Sequence, residues 1–224
     1  MIKVLRAQLK RIADPARAPA MQAYMKSAMP YHGVPTPLLR PLCKDFFNEH
    51  PFSSATEWQD GCLALWRQAK FREERYAAIN LTGHRLYRPW QTMSTLPTYE
   101  EMIVSGAWWD YVDEIATHRL SGLLKAYPAK MRTKMLQWSR TRDLWKRRSA
   151  ILCQLPYKQE TDLELLYACI EPSLDSKEFF LQKAIGWALR QYAWTNAGEI
   201  RTYCATHELS KLSRREALKN IGLS

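Results

Sequence analysis

Two short stretches of this chain combine residue types that can do chemistry. In SGAWWDYVD, residues 105–113, Trp109 and Asp113 stand one helical turn apart, so a helix would put them on one face. Trp108, Val112 and Ile115 would share a different face, with the pattern of a core stripe. A carboxylate beside an indole suits a site where positive charge develops, because a fixed anion and the negative face of an aromatic ring both stabilise a cation. The alternative is local: Asp110 and Asp113 cap a helix that starts there, and the tryptophans are simply buried.

The second stretch is DSKEFFLQKAIGWALRQYAWTN, from Asp175 to Asn196. Asp175 followed by Glu178 fits a capping pair and predicts a helix starting there. At about 100° per residue, Leu181, Ile185, Ala188, Leu189 and Tyr192 form an ordinary core stripe. The opposite side holds Lys183, Trp187, Arg190 and Trp194, two indoles interleaved with two cations on a face that should be solvated. A helix sandwiched inside a solenoid would pack these tryptophans against neighbouring repeats, a reading that suits Trp194 better than Trp187, which sits between the two cations.

Between these stretches lies a basic run. From Lys125 to Lys158 stand ten cations (Lys125, Lys130, Arg132, Lys134, Arg140, Arg142, Lys146, Arg147, Arg148 and Lys158) against one acid, Asp143, with Tyr127, Trp138, Trp145 and Tyr157 among them. Such a run is a solvated face or a phosphate-binding surface. The excess of one sign favours the second, since self-repulsion is relieved by a polyanion. The whole chain points the same way, with 33 Lys and Arg against 22 Asp and Glu, a formal net charge of +11.

Other chemistries find little support. No phosphate loop of the GxxxxGK[ST] type, no GxGxxG turn and no GxSxG elbow occurs. The five histidines form no HExxH pair, and His118, five residues after Asp113, points off the Asp113 face. The five cysteines are scattered, with no CxxC, and are expected to be reduced core thiols. No metal and no cofactor is expected. The N-terminal MIKVLRAQLKRIADP is amphipathic and too broken by charge for a signal peptide. No apolar run approaches the roughly 18 residues of a membrane span, so the expectation is a cytoplasmic chain without a membrane partner.

The elements that must position these residues are helices. Apolar residues recur at spacings of three and four nearly throughout, period-two alternation is almost absent, and with only 8 Gly in 224 residues a turn-rich β fold is disfavoured. Breaks fall at Asp14-Pro15, Thr36-Pro37, His50-Pro51, Arg88-Pro89, Leu96-Pro97, Tyr127-Pro128, Leu155-Pro156, Glu171-Pro172 and Asn196. They predict eleven or twelve helices of roughly ten to twenty residues, with no linker to a second domain. Helix pairs recurring every 35–45 residues or so suggest a HEAT-like α-solenoid with a concave basic face, in a single domain spanning 1–224; a compact orthogonal bundle is the alternative.

With these stretches in view, the chain resembles the AlkD-like DNA glycosylases of the DNA alkylation repair family. The resemblance covers nearly the whole length. It is carried by AYMKSAMPYHGVPTP (23–37), SGAWWDYVD (105–113), LWKRRSAILCQLPYKQ (144–159), SKEFFLQKAIGWALRQYAWTN (176–196) and LSRREALKNI (212–221). It implies a HEAT-like all-α fold that cradles duplex DNA, and removal of N7- and N3-alkylated purines. The family's catalytic carboxylate falls on Asp113 rather than Asp110, its cleft tryptophans on Trp109 and Trp187, its cleft arginine on Arg148 and its early tyrosine on Tyr24. One departure is Leu39, where a second basic residue is expected, followed by Pro41, which should shift or kink the helix start and alter local DNA contacts.

On that resemblance Asp113 stabilises an oxocarbenium-like sugar and orients water, while Trp109 and Trp187 flank the sugar. Arg148 holds the adjacent phosphate, with Lys158, Lys183 and Arg190 as further contacts. The expected partner is duplex DNA carrying alkylated purines, bound by a monomer and without base flipping. The rival readings are a non-catalytic HEAT-like binder of DNA or branched nucleic acid structure, and a protein-binding scaffold whose DNA affinity would depend weakly on salt.

Overall fold

The computed structural model describes residues 1–221, and among them the fold is all-α, with fourteen α-helices, short 3-10 turns and one π-helical segment. Six of these helices are shorter than the ten residues the periodicity predicts, because prolines and capped turns divide what reads as longer amphipathic runs. The chain divides into two compact units, 1–98 and 99–224.

The first unit contains α1 (Ile2–Arg11), α2 (Ala18–Tyr24), α3 (Thr36–Glu49), α4 (Ala55–Arg67) and α5 (Arg72–Thr82). Leu5, Leu9, Phe46, Phe47, Trp58, Leu65 and Trp66 are among its buried side chains, and α5 packs on both α3 and α4. Asp14 opens a turn ahead of α2 rather than the helix itself: its carboxylate accepts from the Ala16 and Arg17 amides and its carbonyl from Ala18, while α2 begins only at Ala18, with Arg17 before it and no side-chain cap. A buried carboxylate organises the loop between α2 and α3. Glu73, fully buried, accepts from the amides of His32, Gly33 and Val34 at 2.9–3.0 Å. Gly33 has φ +82°, and a Cβ there would lie 2.0 Å from the Asp14 carbonyl oxygen, so only glycine fits. Pro41 neither ends nor delays α3, which runs through it from Thr36, and Leu39 is buried in the core.

Helix α6 (Leu96–Gly106) straddles the division. The second unit continues with α7 (Trp109–Glu114), a π-helical turn at Ile115–Leu120, α8 (Ser121–Ala126), α9 (Pro128–Ser139) and α10 (Leu144–Leu152). It closes with α11 (Leu163–Ile170), α12 (Phe179–Ala193), α13 (Ala197–Thr206) and α14 (Lys211–Leu218). Short polar residues start four of these: Asp143 accepts from the Trp145 and Lys146 amides, Asp162 from Leu165, Asn196 from Glu199 and Ser210 from Ser213. The predicted start of α12 is too early. Asp175 and Glu178 form no capping pair; Ser176 Oγ accepts from the Glu178 amide, and the first helical residue is Phe179. The 3-10 turn at Glu171–Ser173, ending in a buried Ser173, holds the chain in a loop across 174–178. Three helix contacts build the pocket of this unit: α10 against α7, α10 against α12, and α12 against α14.

Candidate functional site

A pocket of about 330 Å³ lies within the second unit, lined by Trp109, Asp113, Arg148, Phe179, Phe180, Lys183, Trp187, Arg190 and Glu216. Four helices supply these side chains, and each arrives for a local reason.

Asp113 comes from α7. Trp108 is the extended residue before that helix (φ −150°), and Ala107 before it sits in the left-handed region at φ +46°. For a non-glycine residue that conformation costs about 1 kcal/mol, strain stored two residues before Trp109. After Asp113 the helix widens into its π turn, and Thr117 Oγ donates to the Asp113 carbonyl at 2.7 Å. A π turn offsets the register of the helix beyond it and recurs at functional positions. Asp110 lies in the first turn of α7 and does not cap it, so the purely local reading of the two aspartates does not hold.

Arg148 comes from α10 and meets Asp113 as a two-pronged pair. Its Nε donates to Oδ1 and its Nη2 to Oδ2, each at 2.7 Å, and its Nη1 donates to the Phe180 carbonyl. The side chains are 5% and 13% exposed, so this pair is largely out of water. Trp108, Trp145 and Phe180 form an aromatic cluster with ring centroids 5.1–6.4 Å apart, and the guanidinium lies 6.0 Å from the Phe180 ring centre. In that environment the fork geometry fixes the carboxylate in orientation as well as charge. Burial pushes the Asp113 carboxyl above its ordinary value; Arg148 pulls it back, and nearby Asp110 adds a smaller push upward.

Both edges of Arg148 are therefore committed inside the protein, and the guanidinium expected on a phosphate is holding the carboxylate. Trp109 and Trp187 are half-buried and line the pocket. Lys183 and Arg190 line it too, each paired with Glu216. Lys158 is exposed, in the left-handed region at φ +53°, beside Ala188, Gln191 and Tyr192, and is not among the lining residues. Tyr24 is 77% exposed on the first unit. Trp194 is 69% exposed and so does not pack into a core.

Sequence reasoning missed three lining residues. Phe179 and Phe180 precede the periodic part of α12, so no face could be assigned to them. Glu216 lies about thirty residues beyond Trp187, and its only sequence trace is a glycine in mid-helix, Gly186, which signals a close approach by another element. The basic run is also less bare than its composition implies. Lys125 pairs with Glu160, Arg132 with Asp162 and Glu164, Lys146 with Glu100, and Arg147 donates to Ser173 and the Pro172 carbonyl. Acids outside the run relieve much of the repulsion that a polyanion was expected to relieve.

Among the described residues no cluster of three or more His, Cys, Asp or Glu could hold a metal, and the five cysteines are buried free thiols. No helix among them is long and apolar enough to cross a membrane.

The comparisons with known proteins agree with this architecture. A predicted DNA alkylation repair enzyme from Enterococcus faecalis superposes with a TM-score of 0.86 at 29% identity, over 95% of this chain and 98% of that one. The structure of smu.31 from Streptococcus mutans UA159 shares the fold, with a TM-score of 0.61 at 17% identity over 82% of this chain and 98% of that one. No curated protein matches the chain. The family model for DNA alkylation repair enzymes matches residues 5–221, a span that contains every residue lining the pocket, and the chain belongs to that family.

Proposed function

We propose that the protein is a monofunctional DNA glycosylase that hydrolyses the N-glycosidic bond of N7- and N3-alkylated purines in duplex DNA. The observation that carries the reading is the Asp113 carboxylate, fixed by Arg148 in a largely water-excluded setting and opening on a pocket walled by Trp109 and Trp187. Such a site is matched to a cation.

An alkylated purine already carries positive charge, so its bond to the sugar is weakened. When the C1′–N bond breaks, the electron pair goes to the base, which leaves neutral, and the positive charge moves to the sugar. Asp113 faces that charge, as carboxylates do in glycoside hydrolysis. Water adds its oxygen to C1′ and gives up a proton, which Asp113 accepts and passes to solvent. The raised proton affinity of Asp113 makes it a better base than an ordinary carboxylate. The two indoles add roughly 0.5–2 kcal/mol each toward a cation against their faces. Arg148 acts on the reaction through Asp113. Contact with the DNA backbone is left to Lys183, Arg190 and Lys158, and separately to Tyr24 on the first unit.

Because the lesion supplies its own lability, the reaction needs no deep pocket for an extruded base, and neutral lesions such as uracil are poor substrates. Single-turnover release of free base from a duplex with one 7-methylguanine tests the reading. Wild type releases base well above spontaneous depurination, and Asp113→Asn abolishes most of it. DNA binding without release would instead leave a non-catalytic binder of nucleic acid.

A further inference from the structure

The proposed glycosylase chemistry makes no use of Glu216, yet the structure delivers this carboxylate to the pocket with care. It stands on α14, which packs on α12 more closely than any side chain at residue 186 would permit. A Cβ on Gly186 would lie 2.5 Å from the Glu216 Cβ and 2.8 Å from the Ser213 carbonyl oxygen. Ser213 Oγ donates to the Gln182 carbonyl at 3.0 Å, and Ser210 caps the start of α14, so the helix is held both along and against its neighbour. Glu216 Oε1 then lies 3.0 Å from Lys183 Nζ, and Oε2 lies 2.6 Å from Arg190 Nη1. The carboxylate is 13% exposed. The Lys183 contact first, with Arg190 adding to it, holds it below its ordinary range against the push of burial.

Charge along the pocket wall shows what this arrangement decides. Arg148, Lys183 and Arg190 are positive, and Asp113 and Glu216 negative, which leaves a single excess positive charge. Arg148 and Asp113 cancel each other, so Glu216 determines whether the α12 wall offers one or two unbalanced cations. A second would strengthen the hold on phosphate. It would also repel a cationic base and oppose positive charge growing on the sugar.

We propose that Glu216 is a positioning residue of this site, which fixes Lys183 and Arg190 and cancels one of their charges so that the pocket admits a cationic purine and the sugar cation it leaves. The proposal rests on the glycosylase reading. It implies that affinity for DNA and the rate of base release are pulled in opposite directions by one side chain.

Glu216→Gln tests this, since it keeps the size and one acceptor while removing the charge. Two quantities are measured: affinity for an undamaged duplex across a range of salt, and single-turnover release from the same duplex carrying one 7-methylguanine, at saturating protein. The expected result is affinity raised several-fold, a logarithmic salt slope steeper by up to about 0.9, and release slowed roughly tenfold, the size expected of one charge acting across a partly screened pocket. Adding Lys183→Met returns the wall to one excess charge and restores the rate toward wild type. A purely structural role lowers affinity and rate together, and the second substitution then makes matters worse; that pattern overturns the proposal, as does a variant unchanged in both. Absence of release by wild type would defeat the glycosylase reading itself, whereas an active wild type with an indifferent Glu216→Gln defeats only the role of Glu216.

Discussion

Asp113 and Arg148 form one functional unit, and substitutions at either act through the other. Asp113→Asn should lower single-turnover release of 7-methylguanine roughly 10²–10³-fold, the loss typical of removing a fixed transition-state charge, while duplex affinity stays near wild type. The sign of the pKa shift sets the pH dependence. Asp113 works ionised, and burial raises its proton affinity above the ordinary 3.8, so activity is lost as pH falls through that raised value. The acid limb of the rate profile should therefore lie above the ordinary carboxylate range. Arg148→Ala removes what holds the carboxyl down and leaves burial and Asp110 to act, which moves the limb to still higher pH. It also strands a buried charge, costing about 3–5 kcal/mol in urea unfolding. Arg148→Lys retains the charge but not the fork, and is expected to fall between the two.

At the scale of elements, the meeting of α12 and α14 sets the pocket wall. Gly186→Ala places a methyl group where the Glu216 Cβ and the Ser213 carbonyl oxygen already are, so α14 must shift outward. The expected cost is about 1–3 kcal/mol, measured by denaturant unfolding. The displaced Glu216 should reproduce part of the altered salt slope of Glu216→Gln. In the first unit, Glu73 plays the corresponding part for the loop at 32–34. Glu73→Ala leaves three amides without their acceptor and should be among the most destabilising single changes in that unit.

At the scale of the whole molecule, charge governs both stability in acid and attraction to DNA. Burial pushes the Glu74 carboxyl up, but contact with His32 at 3.7 Å and hydrogen bonds from Arg6 and the Lys70 amide outweigh it and hold the group at about 2. A carboxyl depressed on folding stabilises the protein at any pH above its unfolded value, near 4.5, and the contribution fades as pH falls toward 2. Glu74→Gln should flatten the fall in stability across that window in acid titrations of the unfolding midpoint. For DNA, the net +11 charge predicts a steep salt dependence of affinity. The slope should be smaller than ten cations between 125 and 158 suggest, because several are occupied internally. Arg142, exposed and with no acidic partner among the described residues, should contribute to the slope; Arg132, paired with Asp162 and Glu164, should contribute little.

Local spacing was enough for the helical class, for the break at Asn196, and for the two faces of α12. It also placed Trp109 and Asp113 on one side of a short helix. These features depend on neighbours three or four residues apart, whose geometry a helix dictates by itself. The start of α12 was misplaced because Ser173 and Ser176, not the expected capping pair, hold the preceding loop. The resemblance to a repair family singled out Arg148, but not its partner. That Arg148 holds Asp113 rather than phosphate depends on α10 packing against α7 across a separation of 35 residues. Glu216 joins the pocket only because Gly186 lets α14 come close. The basic run found its acids in segments that composition counts separately. Ion pairs between distant segments depend on how helices pack and where loops return the chain, and short-range periodicity carries no record of either. Helices and their faces were thus legible in the order of residues, while the partners of the charged groups, and so the chemistry of the pocket, were decided by the tertiary structure.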